Sequence, residues 1–281
     1  MRHIVVFLSL LAFAAQPAAA ESSSPGLWSL ERQLASLVGG QSGDVGIAAL
    51  DLRSGQSVSV RGNDSFPMAS TVKVAVAALY LAQVDHGRRS LDDRINDQSA
   101  RGLMERMLIH SDNRATDILL KDLGGPKALH DWLQQNGMTG VRVDRTIAQL
   151  LSDPRNLWDR RDSSTPQAMV ELLRRIYNAE LIKPESRNYL LGLMSRCQTG
   201  KNRIRALLPT GTTVEHKTGT LTGLTDDVGF ITMPDGHRIV VAVFARGGAN
   251  RSRTIAEAAR AIYYGFASAL TWPFGTPLNT R

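Results

Sequence analysis

PMASTVKVAVAALYL, residues 67 to 81, places Ser70 three residues before Lys73 and surrounds the lysine with the apolar residues Val72, Val74, Val76 and Leu79. The run reads as a buried helix beginning near Ser70. Positions i and i+3 share a helix face, so serine and amine are expected to touch. A serine hydroxyl is a weak nucleophile at neutral pH and needs a proton acceptor within hydrogen-bond reach. Lys73 can be that acceptor when neutral, and both burial and a second cation such as Lys217 favour the neutral form. A helix start also directs free N–H groups at the serine, ready for an oxyanion.

Two further clusters follow in order, Ser111-Asp112-Asn113 and Lys217-Thr218-Gly219-Thr220. Each is ordinary by itself. Ser-x-x-Lys reads equally as a helix cap with a solvated lysine, Ser-Asp-Asn as an N-cap, and Lys-Thr-Gly-Thr as a strand with a solvated lysine. The ordered set resembles that of the class A β-lactamases and penicillin-binding proteins. The resemblance covers nearly all of the chain after its first twenty residues. It extends to FPMAST before the lysine, RDSSTP at 161–166, TGKNRIRALLP at 199–209 and the Pro234-Asp235-Gly236 turn.

The resemblance implies that Ser70 is the nucleophile and Lys73 its base. Ser111 would relay a proton to the leaving nitrogen, Asn113 would hold the substrate amide, and Lys217 would lie beside Ser111. Backbone N–H groups of Ser70 and Thr220 would form the oxyanion hole. Thr218, Thr220 and Arg203 would bind the substrate carboxylate. Some class A enzymes carry an arginine for this on the strand after Lys-Thr-Gly, where this chain has Asp226 and Asp227. Arg203 is the candidate in its place, against the alternative of a surface salt bridge. Arg145 and Asp162 are expected to pair across the neck of the intervening loop, against the alternative of a surface ion pair.

Composition narrows the context. The chain has 281 residues, and Met1–Ala20 carries a basic Arg2, an apolar run and Ala18-Ala19-Ala20 before Glu21. This reads as a secretory signal with a small-residue cleavage site, the run being short for a membrane anchor. Residues 21–281 then form a single catalytic domain of two lobes, secreted and expected in a periplasm as a monomer. Cys197 is the only cysteine, so no intramolecular disulfide can form; it reads as a packed thiol near a helix end. The net charge of +7 comes without a basic run, which argues against nucleic acid. His3, His86, His110, His130, His216 and His237 lack zinc-ligand spacing. No metal or other cofactor is expected, nor any membrane contact once the signal is removed. No Gly-x-Ser-x-Gly elbow or Walker loop occurs.

Hydrophobic periodicity predicts a first helix through Trp28, Leu30, Leu34 and Leu37, and a hairpin of DVGIAALDL with SVSV. Residues 63 to 208 read as mostly helical. Strand character returns in TTVEHKTGT, VGFITM and HRIVVAVFA, and Ile255 to Leu270 closes with a helix. The expected fold is α+β, a three-layer α/β/α arrangement of the β-lactamase/DD-peptidase type. A sheet lobe of about 21–62 and 209–281, with N- and C-terminal helices, holds an antiparallel sheet. A helical lobe, about 63–208, is inserted between its second and third strands. The catalytic set would meet at the lobe boundary, a common place for a pocket.

Two departures from class A stand out. Its members hold a loop glutamate that activates the deacylating water, yet VRVDRTIAQLLSDPRNLWDRRDSSTP, residues 141–166, contains none. Counting from Asp144-Arg145 places Ile147 there, and counting back from Asp162 places Gln149. Deacylation is therefore expected to be slow unless another group, such as Asp144 or Asp153, serves. Ser111 also follows Ser70 by only 41 residues, shorter than expected, which suggests a more open cleft. The leading expectation is a hydrolase of β-lactam amides. The alternatives are a D-alanyl-D-alanine peptidase acting on peptidoglycan stem peptides, and a penicillin receptor that does not turn over.

Overall fold

The computed structural model describes residues 25–270. The expected signal, Met1–Ala20, lies outside them. Helix α1, Pro25–Gly39, buries Leu27, Leu30, Leu34 and Val38 and leaves Trp28 exposed, as a 3.6-residue period requires. Strands β1, Asp44–Asp51, and β2, Ser57–Val60, form the hairpin, with Ile47 opposite Val60 and Leu50 opposite Ser57.

The chain then leaves the sheet. Strand β3, Phe66–Pro67, leads into a 3-10 turn, Ala69–Val72, and helix α2, Lys73–Asp85. Ser70 thus sits in the tighter turn before the α-helix rather than at the helix start itself. Helix α2 is buried on nearly every side from Lys73 to Ala82, the pattern of a helix at the centre of a lobe. A small ladder of β4, Arg94–Ile95, and β5, Gln98–Ser99, precedes α3, Ala100–Ile109, α4, Asn113–Asp122, and α5, Gly125–Gln135. A short α6, Ile147–Ser152, lies in the loop, and β6, Ser163–Ser164, pairs back onto β3. Helices α7, Pro166–Tyr177, and α8, Pro184–Ser195, complete the lobe.

Strands β7, Val214–Leu221, β8, Leu224–Thr232, and β9, Arg238–Arg246, return to the sheet before α9, Arg251–Leu270. The five antiparallel strands run in the order β2-β1-β9-β8-β7. Alternation along β9 separates two cores. Ile239, Val241, Val243 and Ala245 pack with residues of α1 and α9, while Val240, Ala242 and Phe244 join the core of the helical lobe. The sheet is therefore the middle of three layers, and its edge strand β7 carries Lys217 to the 3-10 turn that holds Ser70. No helix among the described residues is long and apolar enough to cross a membrane.

Candidate active site

Two left-handed residues shape the site. Ala69, immediately before the serine, has φ +44°, and Ser111 has φ +60°. Such conformations cost roughly 1 kcal/mol or more each and persist only where the surroundings enforce them. The first is held by Thr71, whose Oγ1 donates to Met68 O at 2.7 Å. The second is held by Lys73. Behind the turn lies Gly219 of β7, where a Cβ would come within 2.7 Å of Met68 O. Only glycine lets the strand approach the serine turn this closely.

The Lys73 side chain is fully buried. Its amine makes no hydrogen bond to Ser70, although the i, i+3 spacing suggests one. It donates to Ser111 O at 2.6 Å, Asn113 Oδ1 at 2.8 Å and Ser111 Oγ at 3.2 Å. Three acceptors gathered by the Ser111–Asn113 turn match the three donors of an ammonium, so the amine leans toward α4. Burial, reinforced by the nearby Lys217 charge, lowers its pKa to about 7, against an opposing pull from Asp112 and Asp117. A substantial neutral fraction exists at neutral pH.

Lys217 reaches the same serine from the sheet, donating to Ser111 Oγ and Thr218 O, both at 2.9 Å. Burial lowers its pKa to about 8. Asp112 caps α4 through Ala115 N at 2.8 Å, which leaves Asn113 exposed at the helix mouth.

Arg203 is 9 % exposed, so a surface salt bridge does not describe it. It donates to Gly219 O at 2.9 Å, Asp226 O at 2.8 Å and Thr220 Oγ1 at 2.7 Å. It thus stands behind the strand and presents its charge through Thr220. Asp226, wholly buried, has its pKa raised well above the usual range by that burial. Asp227 instead accepts from His216 Nδ1 at 2.8 Å. Burial opposes the imidazolium, but the Asp227 charge outweighs it and raises His216 to about 9. Burial likewise opposes a Cys197 thiolate, yet His216 and Thr199 beside it bring the thiol down to about 7. Cys197 is packed near the end of α8 as expected, but within an ionisable cluster. Thr199 Oγ1 lies 2.6 Å from Thr218 Oγ1 and 3.3 Å from Cys197 Sγ.

The loop neck is closed by Arg145, which bonds Asp162 Oδ2 at 2.6 Å and also reaches Asp153 and Asp159. Asp162 Oδ1 accepts the Asp144 and Arg145 N–H groups. The pair is nearly buried, unlike a surface ion pair. The two positions considered for the glutamate offer no base. Ile147 is buried in the helical-lobe core. Gln149 folds back as a capping box with Thr146, its Oε1 accepting Thr146 N–H at 2.9 Å. Asp144 is held in the fork of Arg142, and Asp153 by Arg145 and Arg161. The residue that sequence reasoning missed is Asp117 of α4, which accepts Ile147 N–H at 2.7 Å and Ala148 N–H at 2.9 Å. Its signal was available, since Asp117 follows Asn113 by four residues and shares its helix face.

A serine turn packed on a sheet edge and flanked by two buried lysines defines a class of active-site-serine hydrolases. Comparison with known proteins identifies the branch: residues 29–266 match the beta-lactamase enzyme family, and the chain belongs to it. It is 31% identical over 267 residues to the extended-spectrum beta-lactamase PER-1 of Pseudomonas aeruginosa, covering 83% of this chain and 86% of that protein. It is 31% identical to the carbapenem-hydrolyzing beta-lactamase KPC of Klebsiella oxytoca, covering 73% and 76%. Among solved structures, an ancestral class A beta-lactamase superposes with a TM-score of 0.80 at 34% identity, covering 84% of this chain and all of that one.

Proposed function

We propose that this chain opens β-lactam amides through an acyl-enzyme on Ser70. The observation that carries this reading is the buried Lys73 amine, lowered to about 7 one turn after Ser70 and tied to Ser111. In its neutral form Lys73 takes the proton as Ser70 Oγ attacks the lactam carbonyl carbon. The oxyanion is met by backbone N–H groups of Ser70 and Thr220, on the turn and on the facing strand edge. The proton passes through Ser111, with Lys217 holding its hydroxyl, to the leaving nitrogen as the C–N bond breaks. Asn113 holds the substrate amide. Thr218 and Thr220 hold the carboxylate with Arg203 behind them. Water then cleaves the Ser70 ester. PER-1 and KPC, named as beta-lactamases, support the substrate class. In the same reading the enzyme is a monomer and is exported, with cleavage before Glu21, which N-terminal sequencing of the mature protein checks.

The test is hydrolysis of a chromogenic cephalosporin together with intact mass. Parent protein should gain one drug-sized adduct on the Ser70 peptide or turn the drug over, and Ser70→Ala should do neither. An adduct that survives in Ser70→Ala would reject the assignment.

A second reading, a peptidase for peptidoglycan stem peptides, is favoured by one observation. A cavity of about 760 Å³ lined by Ser99, Glu105, Arg106, His110 and Gln198 opens at His110, the residue that precedes Ser111. Release of D-alanine from a synthetic stem peptide at a rate comparable to cephalosporin hydrolysis would favour this reading.

A further inference from the structure

The acyl-enzyme is useful for hydrolysis only if something takes a proton from the attacking water. A positioned base contributes roughly 10²- to 10⁴-fold to such a step. The loop where the resemblance implies a glutamate has none, and its aspartates are engaged. Asp144 is held by Arg142, Asp159 by Arg145 and Arg161, and Asp153 and Asp162 by Arg145. On α4, Asp112 is occupied by the helix cap and lies 3.8 Å from Arg106. Asp117 differs from all of these. Among the described residues it makes no salt bridge, and its side chain is only partly buried, within reach of water.

Its placement is specific. Asp117 lies one helical turn beyond Asn113, on the face of α4 that receives the Lys73 amine. Its two oxygens are oriented by the N–H groups of Ile147 and Ala148. Ile147 is the residue at which counting from Asp144-Arg145 places the missing glutamate. The loop backbone therefore receives a carboxylate from the opposite wall of the site instead of supplying one. Each oxygen accepts a single backbone N–H and retains a further lone pair for a water. The negative charge is felt at Lys73, where it opposes the effect of burial.

We infer that Asp117 is the general base of deacylation, standing on α4 in place of the loop glutamate. This rests on the acyl-enzyme reading above. The water O–H bond breaks, its proton passes to the Asp117 carboxylate, and the oxygen attacks the Ser70 ester carbon. On collapse the bond from that carbon to Ser70 Oγ breaks. Oγ recovers a proton from Asp117 by way of Lys73, and the carboxylate is restored.

The experiment separates the two half-reactions. Stopped-flow hydrolysis of a chromogenic cephalosporin, with intact mass on quenched samples, is run on the parent, Asp117→Asn and Asp117→Ala. The parent should turn over without accumulating adduct. Asp117→Asn should acylate within a few-fold of the parent rate, release one product per chain in a burst, and deacylate at least 10²-fold more slowly. Formate added to Asp117→Ala should accelerate deacylation, which a merely structural residue would not allow. Unchanged deacylation in Asp117→Asn, or parallel loss of both steps without formate rescue, overturns the inference. If neither variant folds, the parent decides. A persistent parent adduct with slow release would mean that no base is present, overturning Asp117 while leaving Ser70 acylation intact. Absence of any Ser70 acylation would instead reject the underlying reading.

Discussion

Lys73 and Lys217 approach the same atom, Ser111 Oγ, at 3.2 and 2.9 Å, one from a helix of the inserted lobe and the other from the sheet edge. Two amines on one hydroxyl cannot both carry full charge cheaply in a buried site, and in the proposed reaction they divide the work. The lower of the two, at about 7, suits a base, and the higher, at about 8, suits a residue that keeps its proton to orient Ser111 and attract an anion.

The pH dependence follows with a definite sign. Acylation needs Lys73 neutral, so kcat/KM should rise as pH climbs through about 7. It needs Lys217 charged, so the rate should fall as pH passes about 8. The expected profile is a narrow bell, whose limbs belong to the coupled pair of amines. A profile flat from pH 6 to 9 on a carboxylate-bearing substrate would contradict the assignment of these two groups.

Lys73→Ala should lower acylation by roughly 10²- to 10⁴-fold. The melting temperature should fall by only a few degrees, because relief of the disfavoured buried charge offsets the lost hydrogen bonds to Ser111 and Asn113. Single-turnover acylation and a thermal melt distinguish the effects. Equal acylation rates in variant and parent would reduce Lys73 to a packing role.

Arg203→Ala should weaken recognition of the substrate carboxylate through Thr220. A charge-assisted hydrogen bond is worth about 1.5–3 kcal/mol, so kcat/KM should fall by about ten- to a hundred-fold. The measurement compares substrates with and without that carboxylate, and the variant should discriminate between them less than the parent does.

Arg145→Ala leaves Asp153, Asp159 and Asp162 without their shared cation. The Arg145 and Asp162 side chains are only 9% and 7% exposed. Removing one partner of a buried pair costs about 3–5 kcal/mol. A loss of that size in chemical denaturation, with new proteolytic cleavage between 145 and 162, is expected. A loss below 1 kcal/mol would mark the neck as a surface pair after all.

The His216–Asp227 pair gives a separate stability signature. His216 is raised from 6.5 to about 9, so its contribution is fully present below about 6.5 and disappears as pH rises through 9. Cys197, lowered from 9 to about 7, acts in the opposite sense: its contribution is present above 9 and is lost as pH falls through 7. In a Cys197→Ser background, the stability difference between Asp227 and Asp227→Asn proteins should therefore shrink between pH 6.5 and 9. Urea denaturation across that range measures it.

Much of this was legible in the sequence. The three motifs, the hairpin, the returning strands and the helical insertion follow from pattern and spacing, because β1 and β9 are short, nearly continuous apolar runs and α2 is apolar from Val74 to Ala82. What escaped were features set by tertiary contact. The left-handed Ala69 and Ser111 have no glycine to announce them. The Lys73 amine is bonded to Ser111 and Asn113, three acceptors that gather on another segment. Cys197, His216 and Asp227 come from the end of α8 and two strands, so no local pattern joins them. Asp117 was readable at four residues from Asn113, and Thr146-x-x-Gln149 marks a helix start at its partners 147 and 148, yet no local pattern joins that start to α4.

Strand β7 is the last strand of its sheet, and this has a meaning beyond catalysis. An outermost strand offers a row of unpaired backbone groups to any extended chain, including another copy of the protein. Here that row meets the serine turn, with Gly219 pressed against Met68 O. A ligand with a peptide-like backbone can lie alongside it as a short guest strand. At that point the strand edge is covered by the protein's own serine turn rather than left open to a neighbouring sheet.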